Sequence, residues 1–345
     1  MRSGFGEGMN TERPALNSER RSIPLPDRSW RFNVPRSIFL YWVAVLSRCA
    51  ACTVLALHVG QSWAESLAIQ EIQLPPLLVN GQAARAHTQG LEVAGGEFFV
   101  TARRDDVVPK RALLLRTGGA RSNWDVWDIT PVDARGAVTT LDHPGGMQSD
   151  GTRLWIPLAE SRRNGRSIIR VFPITSLVAG QPLKADFEFH VNDHIGAVAV
   201  SSESKWIFGA NWDTEAVYVW DFDGRLQRKL IGSDLETRSL GVVRGSKSRT
   251  GLAVQDWKLK GDRLFASGLF HAPGVRPESP ESRLMTFTGF LESGFQRRSI
   301  ALPTQKGIEL GREGMAVSQE TVYFLPEDLG ASNRLFSVPL AALKN

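Results

Sequence analysis

Five degenerate copies of one pattern run along this 345-residue chain, and a repeat of that kind permits few folds. Each copy starts polar and Gly-rich, alternates apolar and polar residues, turns, and then enters a run rich in aromatic and β-branched residues. The copies are Gln89–Thr101, Gly145–Pro157, Gly196–Phe208, Gln255–Ser267 and Glu313–Leu325. Alternation, a tight turn and a second apolar run describe two paired antiparallel strands. A third strand is expected at Arg111–Arg116, Ser167–Pro173, Ala216–Phe222, Arg283–Thr288 and Asn333–Val338, and a fourth at Leu226–Ile231 and Arg297–Leu302. Helical periodicity is absent between the copies, and a four-stranded sheet cannot bury both of its faces alone. The chain is therefore expected to be all-β and to form a single β-propeller of five blades, with six as the alternative. Leu67–Leu74 alternates Leu, Ile, Ile and Leu, and is expected to supply the last strand of the last blade. Such a closure hides the sheet edges that an open ring would expose.

Charge narrows the partners. The net charge is +5, but residues 1–64 hold eight Arg against four acidic residues, a net of +4, which leaves +1 for the rest. The body is nearly neutral, so no nucleic-acid partner is expected. Arg36 and Arg48 precede the apolar run Cys49–Gly60, and Ser62-Trp63-Ala64 puts small residues at the −3 and −1 positions of a cleavage site. That order predicts a secretory signal peptide cleaved after Ala64, a propeller domain over residues 65–345, and export to the periplasm or the extracellular space. A membrane anchor over Ile38–Gly60 would bury Arg48 near its centre at about 3 kcal/mol, so no stable membrane insertion is expected after cleavage. Residues 1–33 are long and rich in Pro and Arg for such a leader, which points to a translation start near Val34. Both cysteines, Cys49 and Cys52, lie in the leader, so the mature chain has no disulfide, thiol nucleophile or Cys-ligated metal. It is expected to be a monomer.

One copy is clearer than the others. Asp193-His194-Ile-Gly196, then Lys205-Trp-Ile-Phe208 through Asn211-Trp-Asp213, then Val217-Tyr-Val-Trp-Asp221, resembles a WD-type propeller repeat. The resemblance implies that His194 hydrogen-bonds within its own blade to a turn aspartate, for which Asp213 stands ready, beside Trp220. Across the chain, His143-Pro-Gly-Gly146, Asp193-His-Ile-Gly196, Gln255-Asp256 and Gly311-Arg-Glu-Gly314 are similar to a family of secreted bacterial and fungal proteins defined only as an uncharacterised domain. That similarity implies a propeller-like fold and no particular activity.

Aligned on Phe99, Trp155, Trp206, Phe265 and Tyr323, the copies place His87, His143 and His194 in one column, with Ala253 and Gly311 completing it. Residues two apart on a strand share a face. Each first strand would thus offer two positions to the channel mouth: His87 and Gln89, His143 and Gly145, His194 and Gly196, Ala253 and Gln255, Gly311 and Glu313. Three imidazoles converging on one axis could ligate Zn²⁺ or Fe²⁺, and an oxygen-rich cluster could hold Ca²⁺. His87, His143 and His194 are the candidate metal ligands, and the alternative for His194 is the structural role above. His143, Glu313 and Asp193 are the candidate catalytic groups. Gln89, Gln255, Asp256, Asn211, Trp212 and Asp213 are candidate ligand-binding groups. Among the carboxylates Asp142, Glu160, Asp193, Asp213, Asp256, Glu313 and Asp328, a suitably spaced pair could hydrolyse a glycoside. Trp124, Trp127, Trp155, Trp206, Trp220 and Trp257 are expected to fill wedges between blades, and Trp212 to offer a stacking face for sugar.

The mouth is expected to bind a small molecule, a carbohydrate or a metal, with hydrolase or lyase chemistry. The alternative is a non-catalytic propeller that binds a ligand or a protein. His143 beside Glu313 is the favoured centre for chemistry.

Overall fold

The computed structural model describes residues 68–118, 123–241, 251–271 and 281–343; the expected leader, with its cleavage site, lies outside them. Five antiparallel sheets follow one another along the chain as a five-bladed β-propeller. Blade 1 is built from His87–Ala94, Glu97–Arg104, Arg111–Thr117 and Asp125–Asp128. In blade 2 the first strand is broken into His143–Pro144 and Gln148–Ser149, and Arg153–Ala159, Ser167–Pro173 and Phe187–Val191 complete the sheet. Blade 3 comprises Ile195–Ser201, Trp206–Asn211, Ala216–Asp221 and Leu226–Ile231. Blade 4 comprises Gly251–Lys260, Arg263–His271, Glu281–Thr288 and Gln296–Ala301. Blade 5 takes Gly314–Ser318, Thr321–Leu325 and Arg334–Pro339 from the end of the chain and Gln70–Gln73 from its beginning.

That last pairing closes the ring. Gln70 lies opposite Ser337 and Gln73 opposite Arg334 in an antiparallel ladder, as the Leu67–Leu74 alternation predicts. Apolar side chains collect in five separate clusters, one in each wedge between neighbouring blades. The seam between blades 5 and 1, for example, is filled by Leu91, Val100, Leu115, Ala316, Leu325 and Leu335. Trp124, Trp127, Trp155, Trp220 and Trp257 are buried in these wedges, whereas Trp206 is 37% exposed. Among the described residues no helix is long and apolar enough to cross a membrane.

Five inner strands meet too tightly at the axis for large side chains. The first strands of blades 1, 3 and 4 carry a β-bulge between Thr88 and Gly90, Ile195 and Ala197, and Val254 and Asp256. The residues just after the bulge, and their counterparts in the other blades, are Gly90, Gly146, Ala197, Asp256 and Gly314. Four of the five are Gly or Ala. Gly146 and Val198 exchange backbone hydrogen bonds with the neighbouring blade, Gly146 N–H donating to Gly196 O at 2.9 Å and Val198 N–H to Gly146 O at 2.9 Å. A Cβ on Gly145 would overlap the Gly196 carbonyl, and one on Gly146 would overlap the Asp256 carboxylate. The double glycine of blade 2 therefore serves close backbone approach.

Asp256 occupies the space that the four small residues leave. Its Oδ2 accepts from Leu91 N–H of blade 1 at 3.1 Å and from Met315 N–H of blade 5 at 2.9 Å. Its Oδ1 accepts from Trp257 N–H and from Lys258 Nζ at 2.5 Å, and both ionic side chains are fully buried. Gln148 repeats the device, its Oε1 accepting from Val200 N–H of blade 3 and Leu259 N–H of blade 4. Glu92 adds a third stitch to Ser149 N–H of blade 2 at 3.0 Å. Single polar side chains thus satisfy backbone donors of different blades, where an unpaired buried amide would be costly.

Candidate functional site

The starts of the first strands and the ends of the second strands meet at one mouth, because the two run antiparallel. The bulges determine what faces it. An extra residue in one strand is left out of the ladder and its side chain is re-aimed. The bulged residue is Gln89 in blade 1 and Gln255, half-buried, in blade 4. Glu313, immediately before the first strand of blade 5, holds the equivalent place.

Glu313 is the most buried of these groups. Only 8% of the residue is exposed, and its one ion-pair contact among the described residues is His87 Nε2 at 3.9 Å. Burial pushes its carboxyl up to about 8, against the pull of Arg312 and Arg103, with Asp328 adding to the rise. A carboxyl in that state is protonated at neutral pH. His87 Nδ1 lies 2.7 Å from Asp328 Oδ1, which accepts from Nδ1–H, so in the neutral ring the Nε2 lone pair faces Glu313. The 3.9 Å gap is too long for a direct hydrogen bond, and one polar atom of a ligand can bridge it.

His143 sits in a second cluster. Its Nε2–H donates to Gln89 Oε1 at 3.1 Å, and its Nδ1 accepts from Arg103 Nη1 at 2.6 Å. Burial, then the charge of Arg103 and the neighbouring His194 and His87, hold its pKa well below the usual histidine value. It is therefore a neutral imidazole. Arg103 Nη1 also donates to Ser161 Oγ at 2.8 Å, and its Nη2 to Asp105 Oδ2 at 3.1 Å.

His194 packs edge-on against His143, with ring centroids 5.2 Å apart, and against Trp212 at 4.6 Å. Its Nδ1–H donates to the carbonyl of Glu160 in blade 2 at 2.8 Å, and burial lowers its pKa. The in-blade bond to Asp213 implied by the WD-type resemblance is not formed. Asp213 instead binds Arg163, which also pairs with Glu215 at 2.8 Å. The reason is local: Asp213 adopts φ +55 in a short turn that carries it to the blade 2 loop.

The remaining candidates divide between frame and mouth. Asp193 Oδ2 accepts from Asn211 Nδ2 at 2.9 Å and from Tyr218 O–H at 2.7 Å, and Asn211 Oδ1 caps Ala216 N–H, so both hold the blade 3 turn. Glu160 is fixed by Arg166 N–H and by Arg162 and Arg166, which hold its carboxyl down at about 2. Asp256 is at the axis below the mouth, and burial pushes it up to about 6 against the pull of Lys258. Trp212 is half-buried under Arg163.

A three-histidine metal site is not assembled. His87 is turned to Asp328 and Glu313, His143 has a guanidinium on one ring nitrogen and an amide oxygen on the other, and His194 is turned to a backbone carbonyl. Among the described residues no group of three His, Cys, Asp or Glu side chains is placed to hold a metal ion. Glu313 pairs with His87, and His143 with Gln89 and Arg103. Arg103, near the end of the second strand of blade 1, and Ser161, just past that of blade 2, are further functional candidates that the repeat pattern does not mark. Cα pairing of Arg103 with His87 follows from the register of blade 1.

Several solved structures are similar to this chain at low identity. Kuenenia stuttgartiensis hydrazine synthase is 12% identical over 72% of this chain and 76% of its own, with a TM-score of 0.38. The nidogen/laminin complex gives 9% identity, 80% and 90% coverage and a TM-score of 0.43. The β-propeller domain of the Trilobed protease from Pyrococcus furiosus gives 7%, 70% and 78%, and 0.33. Likeness at this level concerns the arrangement of strands and carries no activity. Among curated proteins nothing matches the sequence. One family matches more than half of the chain, over residues 65–265, and on that match the protein belongs to the family of unknown function DUF6454.

Proposed function

We propose that the mouth of this propeller binds a small polar molecule and performs acid–base chemistry on it, either hydrolysis or elimination. Glu313 acts as the acid and His87, oriented by Asp328, as the base. The observation that carries this reading is the buried Glu313 carboxyl, which makes no hydrogen bond among the described residues and lies 3.9 Å from His87 Nε2, while His87 Nδ1 is held by Asp328. A ligand atom between the two would hydrogen-bond both. A proton donor and a proton acceptor facing one ligand atom are what proton transfer requires.

The test is a thermal-shift screen of the purified protein against small esters, hydroxy acids and sugars, followed by turnover assays on each ligand found. Ligands that stabilise the native protein should do so much less in Glu313→Gln and His87→Ala, and at least one should be converted. Binding that survives both substitutions would overturn the reading. Binding lost without any conversion would favour the non-catalytic propeller instead.

The proposal includes export. The n, h and c layout of residues 36–64 supports cleavage after Ala64, and mass spectrometry of the protein recovered outside the cytoplasm should give Glu65 as its first residue. A retained leader would contradict it.

A further inference from the structure

On the blade 2 side of the mouth lies a cavity of about 460 Å³ lined by Lys110, Thr140, Asp142, Glu160, Ser161 and Arg162. Ser161 is exposed at its edge, just past the second strand of blade 2. Its hydroxyl has two acceptors in reach, Asp142 Oδ1 at 3.2 Å and His143 Nδ1 at 3.3 Å. Gln89 Oε1, accepting from His143 Nε2–H, fixes the imidazole so that the Nδ1 lone pair faces the serine. Nucleophile, base and an orienting third group are the parts that activate a hydroxyl, and the first contact is commonly loose without substrate.

Arg103 decides when the base is free. Its Nη1 touches both His143 Nδ1 at 2.6 Å and Ser161 Oγ at 2.8 Å, so in this state it holds the lone pair that would accept the serine proton. Lys110 shares Asp105 with Arg103, each at 2.8 Å, and Arg162 pairs with Glu160 at 2.7 Å, so every one of these cations already has a carboxylate. Little positive charge is left over for a phosphate. A neutral electrophile that develops one negative charge suits that balance, Arg103 being already in contact with Ser161 Oγ, and a carboxylic ester is such an electrophile.

We propose that Ser161 is a nucleophile for the acyl group of a carboxylic ester bound in this cavity, with His143 as its base and Gln89 as a positioning residue. The carbonyl oxygen, as it becomes negative, attracts the Arg103 guanidinium away from Nδ1. Ser161 Oγ forms a bond to the carbonyl carbon and its proton passes to His143. The bond to the leaving alkoxide breaks as that proton is delivered to it. Water then attacks the acyl-serine by the same proton route, releasing the acid and restoring the hydroxyl. The inference rests on the proposed function only in seating the ligand at this mouth.

The test needs no substrate. An alkyl fluorophosphonate applied to the full-length protein should form one adduct, with a bond from Ser161 Oγ to phosphorus replacing the P–F bond and the serine proton leaving with fluoride. Peptide mapping should place it at Ser161, and Ser161→Ala should abolish it. Labelling should slow by roughly a hundredfold or more in His143→Ala, the range of a lost general base. Because His143 titrates well below the usual histidine range, the native rate should be flat from pH 6 to 8; Gln89→Leu should slow labelling, whereas Gln89→Glu, which keeps the acceptor and adds a charge that raises the imidazole pKa, should restore it and move the pH dependence toward that range. Circular dichroism identifies any variant that fails to fold, and His143→Gln then replaces His143→Ala. No adduct, an adduct elsewhere, or a rate unchanged by both His143 substitutions would overturn the proposal. Ligand stabilisation that depends on Glu313 but comes without an adduct would remove the serine and leave the mouth as a binding site; an adduct without such stabilisation would do the reverse.

Discussion

Glu313 of blade 5 and His87 of blade 1 face each other at 3.9 Å across the seam between the last blade and the first. The burial that makes the carboxyl a proton donor near neutrality also gives the protein a pH-dependent stability. The unfolded chain has this group at its ordinary value near 4.5, and the native state at about 8. The native state therefore binds the proton more tightly. Its stabilising contribution is fully present below about pH 4.5 and is lost as pH rises through about 8. Glu313→Gln removes that dependence. Denaturant titrations should show the variant gaining on the native protein by on the order of 3 kcal/mol between pH 5 and pH 9. Parallel curves would place Glu313 in a solvated site.

The axial ion pair predicts a different pattern. Asp256 and Lys258 are fully buried 2.5 Å apart, and Asp256 also receives the amides of Leu91 and Met315. Removing one partner of a buried pair leaves an uncompensated charge, at roughly 3–5 kcal/mol. Asp256→Ala should cost at least that, since two backbone donors lose their acceptor as well. Lys258→Met in the same chain should recover part of the loss, and urea unfolding of both single variants and the double measures the coupling. Additive losses would mean that the two charges act independently.

Crowding at the axis separates two kinds of glycine. A Cβ on Gly145 would strike the backbone carbonyl of Gly196, while one on Gly294 would meet nothing within 4 Å. Gly145→Ala should destabilise by about 1–3 kcal/mol or prevent folding, and Gly294→Ala should be close to neutral. Equal melting temperatures for the two variants would contradict the close backbone contact between blades 2 and 3.

The ring was legible because its signal is periodic. Phe99, Trp155, Trp206, Phe265 and Tyr323 all fall on second strands, and Leu67–Leu74 contains the closing strand. The fourth strands of blades 1 and 2, Asp125–Asp128 and Phe187–Val191, carry no such mark. The column of histidines was legible as a place but not as a set of partners. Each ring turns toward what the next blade or loop offers, Asp328 for His87 and the Glu160 carbonyl for His194, and those neighbours are remote in sequence. Gln89 and Gln255 were found by their spacing, but the β-bulges that aim them leave no composition signal of their own. Arg103 and Ser161 lie near and just past the ends of second strands, and neither residue type recurs there from copy to copy to mark it.

The account stands most directly on the protonation of Glu313. Infrared difference spectra of the native protein against Glu313→Gln, recorded from pH 5 to pH 10, isolate the absorption of that one carboxyl. A protonated-carboxyl band that persists through pH 7 and disappears near pH 8 is the predicted result. A carboxylate band already complete at pH 6 would contradict the acid–base reading of the mouth.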